Sequence, residues 1–290
     1  MPSYLVTGAA GQLGKCFQFV ASEFKQHRLF FSTHLEVDIN ETDTLSKYYE
    51  QNPFDGIINC AAYTKVDNAE IEKNQAHQTN ARGVQNLIDF AEHMNLNLIH
   101  FSTDFVFDGT KEAPYLEDDT TNPINIYGKS KLAGEEILTK SNCQSVCFRI
   151  SWLFSPFGKN FVKTIINLIQ YRTELVVVDD QFGKPTYGID LARNILANVN
   201  HPHFFDFPIY HFAQGHKTSW FEFAKKIIGQ YESLCKVKPT KTLKNSTIAL
   251  RPPYTVLDTQ RIEKILSLSI RNWEPALNEC IKIIKKNEII

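Results

Sequence analysis

The sequence predicts an α/β fold in which helices cover both faces of a parallel sheet, and three observations lead to this prediction. Short apolar runs alternate with amphipathic helical patterns over the first 150 residues, as in chains that build parallel sheets. A glycine-rich turn directly follows the first apolar run and opens a helical pattern. After residue 150, prolines divide the chain into shorter pieces. The expected architecture is therefore a Rossmann-type doubly wound parallel sheet with a smaller, mixed C-terminal lobe.

Strands are predicted where short apolar runs end in small or polar residues. The runs with this pattern are residues 4–7, 29–32, 56–62, 98–102 and 145–150, and a further element ends at residues 37–39. Strands buried on both faces read as near-continuous apolar runs. These segments therefore fit the interior of a parallel sheet.

Helices are predicted between the strands, at residues 12–25, 41–51, 66–94 and 123–140. Pro123 lies near the start of the fourth helix, where its missing N–H leaves no helical hydrogen bond unmade. The third helix has an apolar face of the kind that packs against a sheet. Its apolar residues are Ala76, Val84, Leu87, Ile88 and Ala91.

The predicted domain boundary lies at residue 150. Residues 1–150 are expected to form the sheet domain, and residues 188–213 to return to it with a helix at 190–200 and a strand at 209–213. Residues 151–187 and 214–290 are expected to form the smaller lobe.

Composition and charge exclude several classes of protein. The 290 residues include 31 basic and 32 acidic ones, which gives no electrostatic reason to expect nucleic acid or a membrane surface as a partner. No apolar run approaches the roughly 18 residues of a membrane span, and we expect no signal peptide. The six cysteines form no Cys-x-x-Cys pair, which favours reduced thiols and a cytoplasmic protein.

The glycine-rich turn places Gly8, Gly11 and Gly14 between the first strand and the first helix. Gly8 permits a tight turn, Gly11 lets the backbone approach a pyrophosphate, and Gly14 lets the helix pack closely on the strand. The N-terminus of the helix then presents backbone N–H groups to the phosphates. The turn predicts a bound dinucleotide, with the spacing Gly-x-x-Gly-x-x-Gly rather than Gly-x-Gly-x-x-Gly.

Tyr127 and Lys131 lie four residues apart and therefore on one face of a predicted helix. A phenol has a pKa near 10, and a nearby ammonium favours the phenolate, so we expect Lys131 to lower the pKa of Tyr127. The same ammonium can hydrogen-bond a nicotinamide ribose. Thr103 ends the preceding strand, from where its hydroxyl can reach the same substrate oxygen. Together these residues predict proton transfer beside a dinucleotide, as in a redox enzyme.

Several motifs of the chain resemble a known family. The glycine turn, residues 59–64 (NCAAYT), Asn80 and the Thr103, Tyr127 and Lys131 set resemble the extended short-chain dehydrogenase/reductases. Four stretches resemble, more narrowly, the dTDP-4-dehydrorhamnose reductase family. They are residues 101–109 (FSTDFVFDG), 127–135 (YGKSKLAGE), 149–152 (RISW) and 180–186 (DQFGKPT). The resemblance runs from residue 4 to about residue 275 and is thin after residue 190.

This resemblance implies an NAD(P)H-dependent reductase that acts on the C4 ketone of a nucleotide-linked 4-keto-6-deoxyhexose, foremost dTDP-4-dehydro-L-rhamnose. Thr103, Tyr127 and Lys131 would be its catalytic residues. Thr103, Asp104 and Trp152 would contact the sugar, with Phe107, Asn160 and Arg251 as further pocket candidates. The implied cofactor-binding residues are Gly8, Gly11, Gln12, Leu13, Gly14, Asp38, Ile39, Ala62, Tyr63, Thr64, Tyr127 and Lys131.

The cofactor is expected to be NADPH or NADH, with NADPH favoured. An NAD-specific site usually has an acid at the end of the second strand, which binds the ribose 2′-OH and repels a 2′-phosphate. Here that position reads Ser32, Thr33 and His34. Lys65 or Arg28 could add a positive charge for a 2′-phosphate.

Two other readings stay open at this point. The chain could be another nucleotide-sugar 4-ketoreductase or an epimerase of the same superfamily. It could also be a non-catalytic regulatory subunit of the methionine adenosyltransferase type, although the intact Thr103 argues for an enzyme. The expected partners are a nucleotide-sugar substrate and, in a homodimer, a second copy of the chain.

The remaining polar clusters have simpler interpretations. His201, His203, His211 and His216 are interpreted as turn and packing residues, so no metal is predicted. Glu135 and Glu136 are interpreted as solvated residues of the helix that carries Lys131.

Overall fold

The computed structural model describes residues 1–231, 233–243 and 247–288, so residues 232, 244–246 and 289–290 of the predicted C-terminal lobe lie outside the described residues. The strands are β1 (Ser3–Thr7), β2 (Arg28–Phe31), β3 (Gly56–Asn59), β4 (Asn97–Thr103), β5 (Ser145–Ile150), β6 (Leu153–Phe154), β7 (Glu174–Val178), β8 (Phe182–Gly183), β9 (Thr186–Tyr187), β10 (Ile209–Phe212), β11 (Thr218–Ser219) and β12 (Lys236–Thr240). The α-helices are α1 (Gln12–Val20), α2 (Thr42–Gln51), α3 (Val66–Ala69), α4 (Lys73–His77), α5 (Gly83–Met94), α6 (Ile126–Lys140), α7 (Phe161–Leu168), α8 (Gly188–Asn198), α9 (Trp220–Gln230), α10 (Gln260–Ile265) and α11 (Trp273–Glu288).

Six parallel strands form the central sheet in the order β10-β5-β4-β3-β1-β2. Apolar residues face each other along it: Leu5 lies opposite Ile57, and Ile58 opposite Ile99. Two large hydrophobic clusters include residues of these strands and of the helices α1, α5 and α8. The predicted fold class, a Rossmann-type parallel sheet flanked by helices, is confirmed.

The carboxyl ends of β1 and β3 form the switch point of the sheet. The chain passes from β1 to β2 on one side, whereas β3 and β4 follow on the other side. In open α/β sheets a ligand binds in the crevice at this point. The glycine turn follows β1, so it lies at this crevice.

The prediction that a further structural element ends at residues 37–39 is wrong. The chain turns there instead, with the N–H groups of Glu36 and Val37 both donating to the carbonyl of Thr33. Val37 and Ile39 are nevertheless buried in the second hydrophobic cluster. Their apolar character therefore reflects packing of a turn rather than a strand.

The helical stretch predicted over residues 66–94 is present but interrupted: α3 ends at Ala69, and helical structure resumes with α4 at Lys73, passes through a π-helical turn (Gln78–Arg82) and continues as α5. Asn80 lies in the π-helical turn. Its side chain bonds both the N–H and the carbonyl of Tyr63, at 2.9 and 3.0 Å, and also Ser130 at 2.9 Å. The Asn80 side chain therefore makes its long-range contacts at the place where the helix departs from regular α-helical geometry.

The described residues of the C-terminal part form three two-stranded sheets, β6–β9, β7–β12 and β8–β11, together with α7, α9, α10 and α11. Within the same part, β10 pairs with β5 in the central sheet, and α8 packs against α1. The predicted division into two domains at residue 150 stays a prediction. The helices of the described residues lack the length and apolar character that crossing a membrane requires.

Candidate active site

The glycine turn is built by close backbone contacts. Gly8 has φ +62°, and a Cβ there would lie 2.7 Å from the backbone nitrogen of Ala61. A Cβ on Gly14 would lie 2.5 Å from the carbonyl oxygen of Gly8. The N–H of Gly11 donates to the same carbonyl at 2.9 Å, and no side chain caps α1. The N-terminus of α1 therefore keeps N–H groups available for an anion.

A first cavity of about 390 Å³ opens beside this turn. His34 and Lys65 stand at its edge, and Asp38 Oδ1 accepts from the backbone and side-chain nitrogens of Asn40 at 3.0 and 2.9 Å. Seven of the predicted cofactor residues line this cavity: Gly8, Gly11, Asp38, Ile39, Ala62, Tyr63 and Thr64.

A second cavity of about 380 Å³ shares Gly11, Cys60, Ala62 and Thr64 with the first, so the two form one cleft. Gly14 lines neither cavity and instead packs α1 against the turn. The other predicted residues meet in the second cavity: Gln12, Leu13, Thr103, Asp104, Tyr127, Lys131 and Trp152.

Tyr127 is held by the start of α6. The side chain of Asn125 accepts from the N–H of Gly128 at 2.7 Å and caps the helix. A Cβ on Gly128 would lie 2.2 Å from the carbonyl oxygen of Phe105, so α6 begins directly against the loop after β4. The Tyr127 ring meets the Phe105 ring edge-on, at 6.1 Å between centroids.

The expectation that Lys131 lowers the pKa of Tyr127 is wrong. Burial raises the pKa of Tyr127 to about 12, with a hydrogen bond from Thr103 acting in the opposite direction and the charge of Asp104 adding to the rise. Burial also lowers the pKa of Lys131, to about 8. At neutral pH the phenol is therefore protonated and can serve as a proton donor.

Thr103 and Asp104 form a buried polar pair next to Tyr127. The Thr103 hydroxyl accepts from the N–H of Phe105 at 3.2 Å and donates to Asp104 Oδ1 at 3.1 Å. Thr255, from the C-terminal part, donates to Asp104 Oδ2. Burial raises the pKa of Asp104 to about 7, and the bonds from the two threonines oppose this.

Trp152 separates the second cavity from a third one of about 440 Å³. Its backbone has φ +48°, and its ring stacks on Trp220 with 3.6 Å between centroids and 10° between planes. A Cβ on Gly183 would lie 2.7 Å from the same ring. A backbone in the left-handed region that is held by packing of its side chain is typical of functional sites.

The third cavity is lined mostly by apolar side chains, among them Phe105, Phe161 and Trp220. Arg251 is at its edge, with Nη2 2.7 Å from Oδ2 of Asp67. Of the three further pocket candidates, Arg251 lines this cavity and Asn160 lines the second one. Phe107 lines neither and stacks on Tyr115 in a small hydrophobic cluster.

Comparison with known proteins identifies the family. The sequence model of the RmlD substrate binding domain family matches residues 3–286. A dTDP-4-dehydrorhamnose reductase of Aggregatibacter actinomycetemcomitans is 36% identical over 96% of this chain and 97% of its own length. The chain belongs to the dTDP-4-dehydrorhamnose reductase family.

Two further members of the family bear on the site. A dTDP-4-keto-6-deoxy-D-glucose reductase of Streptomyces niveus is 32% identical, with 98% of each chain covered. The crystal structure of a dTDP-4-dehydrorhamnose reductase from Bacillus anthracis in complex with NADP has a TM-score of 0.90 and 35% identity. That comparison covers 98% of this chain and 100% of the other.

Sequence reasoning missed two residues that contact the site of this reductase, and also one buried ion pair. Thr255 and Trp220 follow the part of the chain where the resemblance is specific, and only the return of the C-terminal part brings them to the cleft. Glu135, interpreted as solvated, is 1% exposed and forms an ion pair with Arg149 of 2.8 Å. The signal for this pair was present, because a charged residue in a buried strand such as β5 requires a partner.

Proposed function

We propose that the protein catalyses NAD(P)H-dependent reduction of the C4 ketone of dTDP-4-dehydro-L-rhamnose. One observation carries the proposal: Thr103, Tyr127 and Lys131 line a single cavity that continues into the cleft beside the glycine turn. Family membership supports the reaction class, an NAD(P)H-dependent reductase.

The residues of the cleft fit a nicotinamide dinucleotide. The N-terminus of α1 has no side-chain cap and would hold the pyrophosphate with the backbone N–H groups of Gln12 and Leu13, while Gly11, whose N–H is bonded to Gly8, would let the backbone approach it closely. Asp38 and Ile39 would flank the adenine, and Ala62, Tyr63 and Thr64 the rest of the cofactor. When bound, the reduced nicotinamide supplies a hydride.

Tyr127 would donate the proton that completes the reduction. Its high pKa keeps the phenol protonated, and transfer to the substrate oxygen as charge develops there lowers the barrier. The Thr103 hydroxyl would hydrogen-bond the same oxygen. Lys131, which lines the same cavity, would bind the ribose of the cofactor.

The third cavity suits the nucleotide part of the substrate. Its aromatic lining offers stacking surfaces for a base. Arg251, at the edge, is a donor for the diphosphate. Trp152 would then lie between the base and the sugar, with the C4 carbon on the side of Tyr127.

The first prediction tests the activity. The purified protein should oxidise NADPH, measured by absorbance at 340 nm, when dTDP-4-dehydro-L-rhamnose is added and not without a ketone. The D-configured dTDP-4-keto-6-deoxyglucose serves as the comparison substrate because of the relative from Streptomyces niveus. We expect a higher kcat/KM for the L-sugar. No oxidation with either sugar, despite cofactor binding, would favour a regulatory subunit, and faster reduction of the D-sugar would reassign the substrate.

The second prediction concerns cofactor choice. Ser32, Thr33 and His34 provide no acid at the end of β2, but Glu36 Oε2 accepts from both the N–H and the hydroxyl of Thr33, at 2.8 and 2.9 Å. These bonds lower the pKa of Glu36, so a carboxylate occupies the donors that a 2′-phosphate would use. Glu36→Gln removes this repulsion. We expect kcat/KM for NADPH to rise about threefold to tenfold, which is up to about 1.4 kcal/mol, with little change for NADH.

Glu50→Gln, an exposed substitution on α2, is the matched control and should change neither cofactor's kcat/KM. If the wild-type enzyme prefers NADH and Glu36→Gln lowers kcat/KM for NADH, Glu36 binds the ribose 2′-OH. In that case the expected preference for NADPH is wrong.

A further inference from the structure

Four buried polar side chains form a chain along the carboxyl ends of the central strands, from the glycine turn to Lys131. Thr7 Oγ1 lies 2.7 Å from Asn59 Oδ1, Asn59 Nδ2 lies 3.1 Å from His100 Nδ1, and His100 Nε2 lies 3.3 Å from Lys131 Nζ. None of the four is more than 2% exposed. The proposed reaction assigns no task to Asn59 or His100.

The orientation of the Asn59 amide is fixed by the backbone. The N–H of Ala61 donates to Asn59 Oδ1 at 3.1 Å, and a backbone N–H can only donate. A flipped amide would bring the NH₂ group of Asn59 against this N–H. The nitrogen of the amide therefore faces His100.

This orientation decides where His100 carries its proton. The Asn59 NH₂ group can only donate, so Nδ1 of His100 must accept and bears no hydrogen. Burial, together with the nearby charge of Lys131, holds the pKa of His100 well below its ordinary value. The imidazole is therefore neutral, and its single proton is on Nε2.

The Nε2–H of His100 faces Nζ of Lys131. An ammonium has three donors and no lone pair, so in the charged form two donors would meet. A neutral amine has a lone pair that accepts the Nε2–H. We propose that His100 is a positioning residue whose Nε2–H stabilises the neutral amine of Lys131, so that Lys131 can release its proton during turnover.

This inference rests on the proposed function and completes its proton balance. Tyr127 gives its phenolic proton to the substrate oxygen, which becomes a hydroxyl. The Lys131 ammonium then gives one proton to the phenolate. The resulting neutral amine accepts the Nε2–H of His100. The bulk solvent returns one proton to Lys131, and this is the one proton that the reduction consumes.

The other titratable groups that act on Lys131 do not replace His100. Cys147 on β5 and Glu135 on α6 both favour the ammonium. Burial raises the pKa of the Cys147 thiol, so this group is neutral, and Glu135 is bound by Arg149. Burial lowers the pKa of Lys131 to about 8, in the same direction as the contact with His100.

The first test reads the tautomer directly and requires no substrate. Protein with ¹⁵N-labelled histidine is examined by NMR between about pH 6 and 9, with the His100 signals assigned from their loss in His100→Gln. We expect a neutral ring protonated on Nε2. A ring protonated on Nδ1, or a charged imidazolium, would overturn the inference whether or not the protein reduces the proposed sugar.

The second test measures the pH dependence of kcat. In His100→Gln the side chain can turn its carbonyl oxygen to the Lys131 ammonium, which His100 cannot do. The alkaline limb, expected near pH 8 in the wild type, should move up by about one pH unit, a tenfold change in proton affinity.

His93→Gln, an exposed substitution at the end of α5, is the control and should leave the limb in place. An unchanged limb in a folded His100→Gln would contradict the inference, and if that variant does not fold, the tautomer of the wild type decides.

Discussion

Replacing Tyr127 with phenylalanine is expected to lower kcat by at least about 100-fold, the usual contribution of a positioned proton donor. The substitution removes the hydroxyl and keeps the ring, so the edge-on contact with Phe105 remains. Cofactor affinity should change little, because the glycine turn and Lys131 are untouched. The measurement combines steady-state kinetics with the proposed ketone and a titration of NADPH binding by fluorescence.

The matched control is Tyr171→Phe, the same change at a side chain that is 68% exposed. It should leave kcat as it is. If Tyr127→Phe retained most of its turnover, another group of the cavity would be the donor. Asp104 would be the first candidate, since burial raises its pKa to about 7 and it hydrogen-bonds Thr103. Its participation would appear as a loss of activity in Asp104→Asn.

Much of the sheet could be predicted from the sequence because burial leaves a local signature there. A strand buried on both faces needs a short apolar run, and all six strands of the central sheet carry one at the predicted place. The glycine turn was predictable for a similar reason. Gly8 and Gly14 leave no room for a Cβ, so the contact itself dictates the residue type.

The errors in the predicted secondary structure have a common physical cause, which is contact between residues distant in sequence. Val37 and Ile39 are apolar because a hydrophobic cluster surrounds them, and the same pattern would suit a strand. Asn80 bonds Tyr63 and Ser130, 17 and 50 positions away, and no local pattern reveals these partners. The apolar periodicity therefore predicted the helical stretch but neither its interruption at residues 70–72 nor its π-helical turn.

The candidate site likewise contains residues that the sequence predicted and residues that it did not. Tyr127 and Lys131 have a fixed spacing on one helix, so the sequence indicates that they act together. Thr255 contacts Asp104 across 151 positions, and its participation depends on how the C-terminal part returns to the sheet. The direction of the Tyr127 pKa shift was mispredicted because burial, which the sequence does not quantify, is the largest influence on it.

Replacing Arg149 with methionine is expected to destabilise the protein by about 3–5 kcal/mol, the cost of leaving one member of a buried ion pair without its partner. Arg149 and Glu135 are 3% and 2% exposed in their side chains. The guanidinium also donates to the carbonyl of Glu117 at 3.1 Å and lies 3.4 Å from Nε2 of His211. Since native stability is about 5–15 kcal/mol, this single change removes a large part of it. Urea denaturation measures the loss.

Two further variants separate the charge effect from the loss of packing. Lys238→Met likewise removes the cation of an ion pair, here with Glu174 and with side chains that are 60% and 43% exposed, and it should cost about 0–1 kcal/mol. The double variant Arg149→Met/Glu135→Met removes both buried charges, so it should be more stable than Arg149→Met alone. Recovery should stay incomplete because the Glu117 carbonyl and the His211 nitrogen lose their donor.

If the double variant is no more stable than the single one, the cost arises from lost packing against Phe107, over whose ring the guanidinium lies at 5.1 Å. The charge of Glu135 would then not be what makes Arg149 necessary.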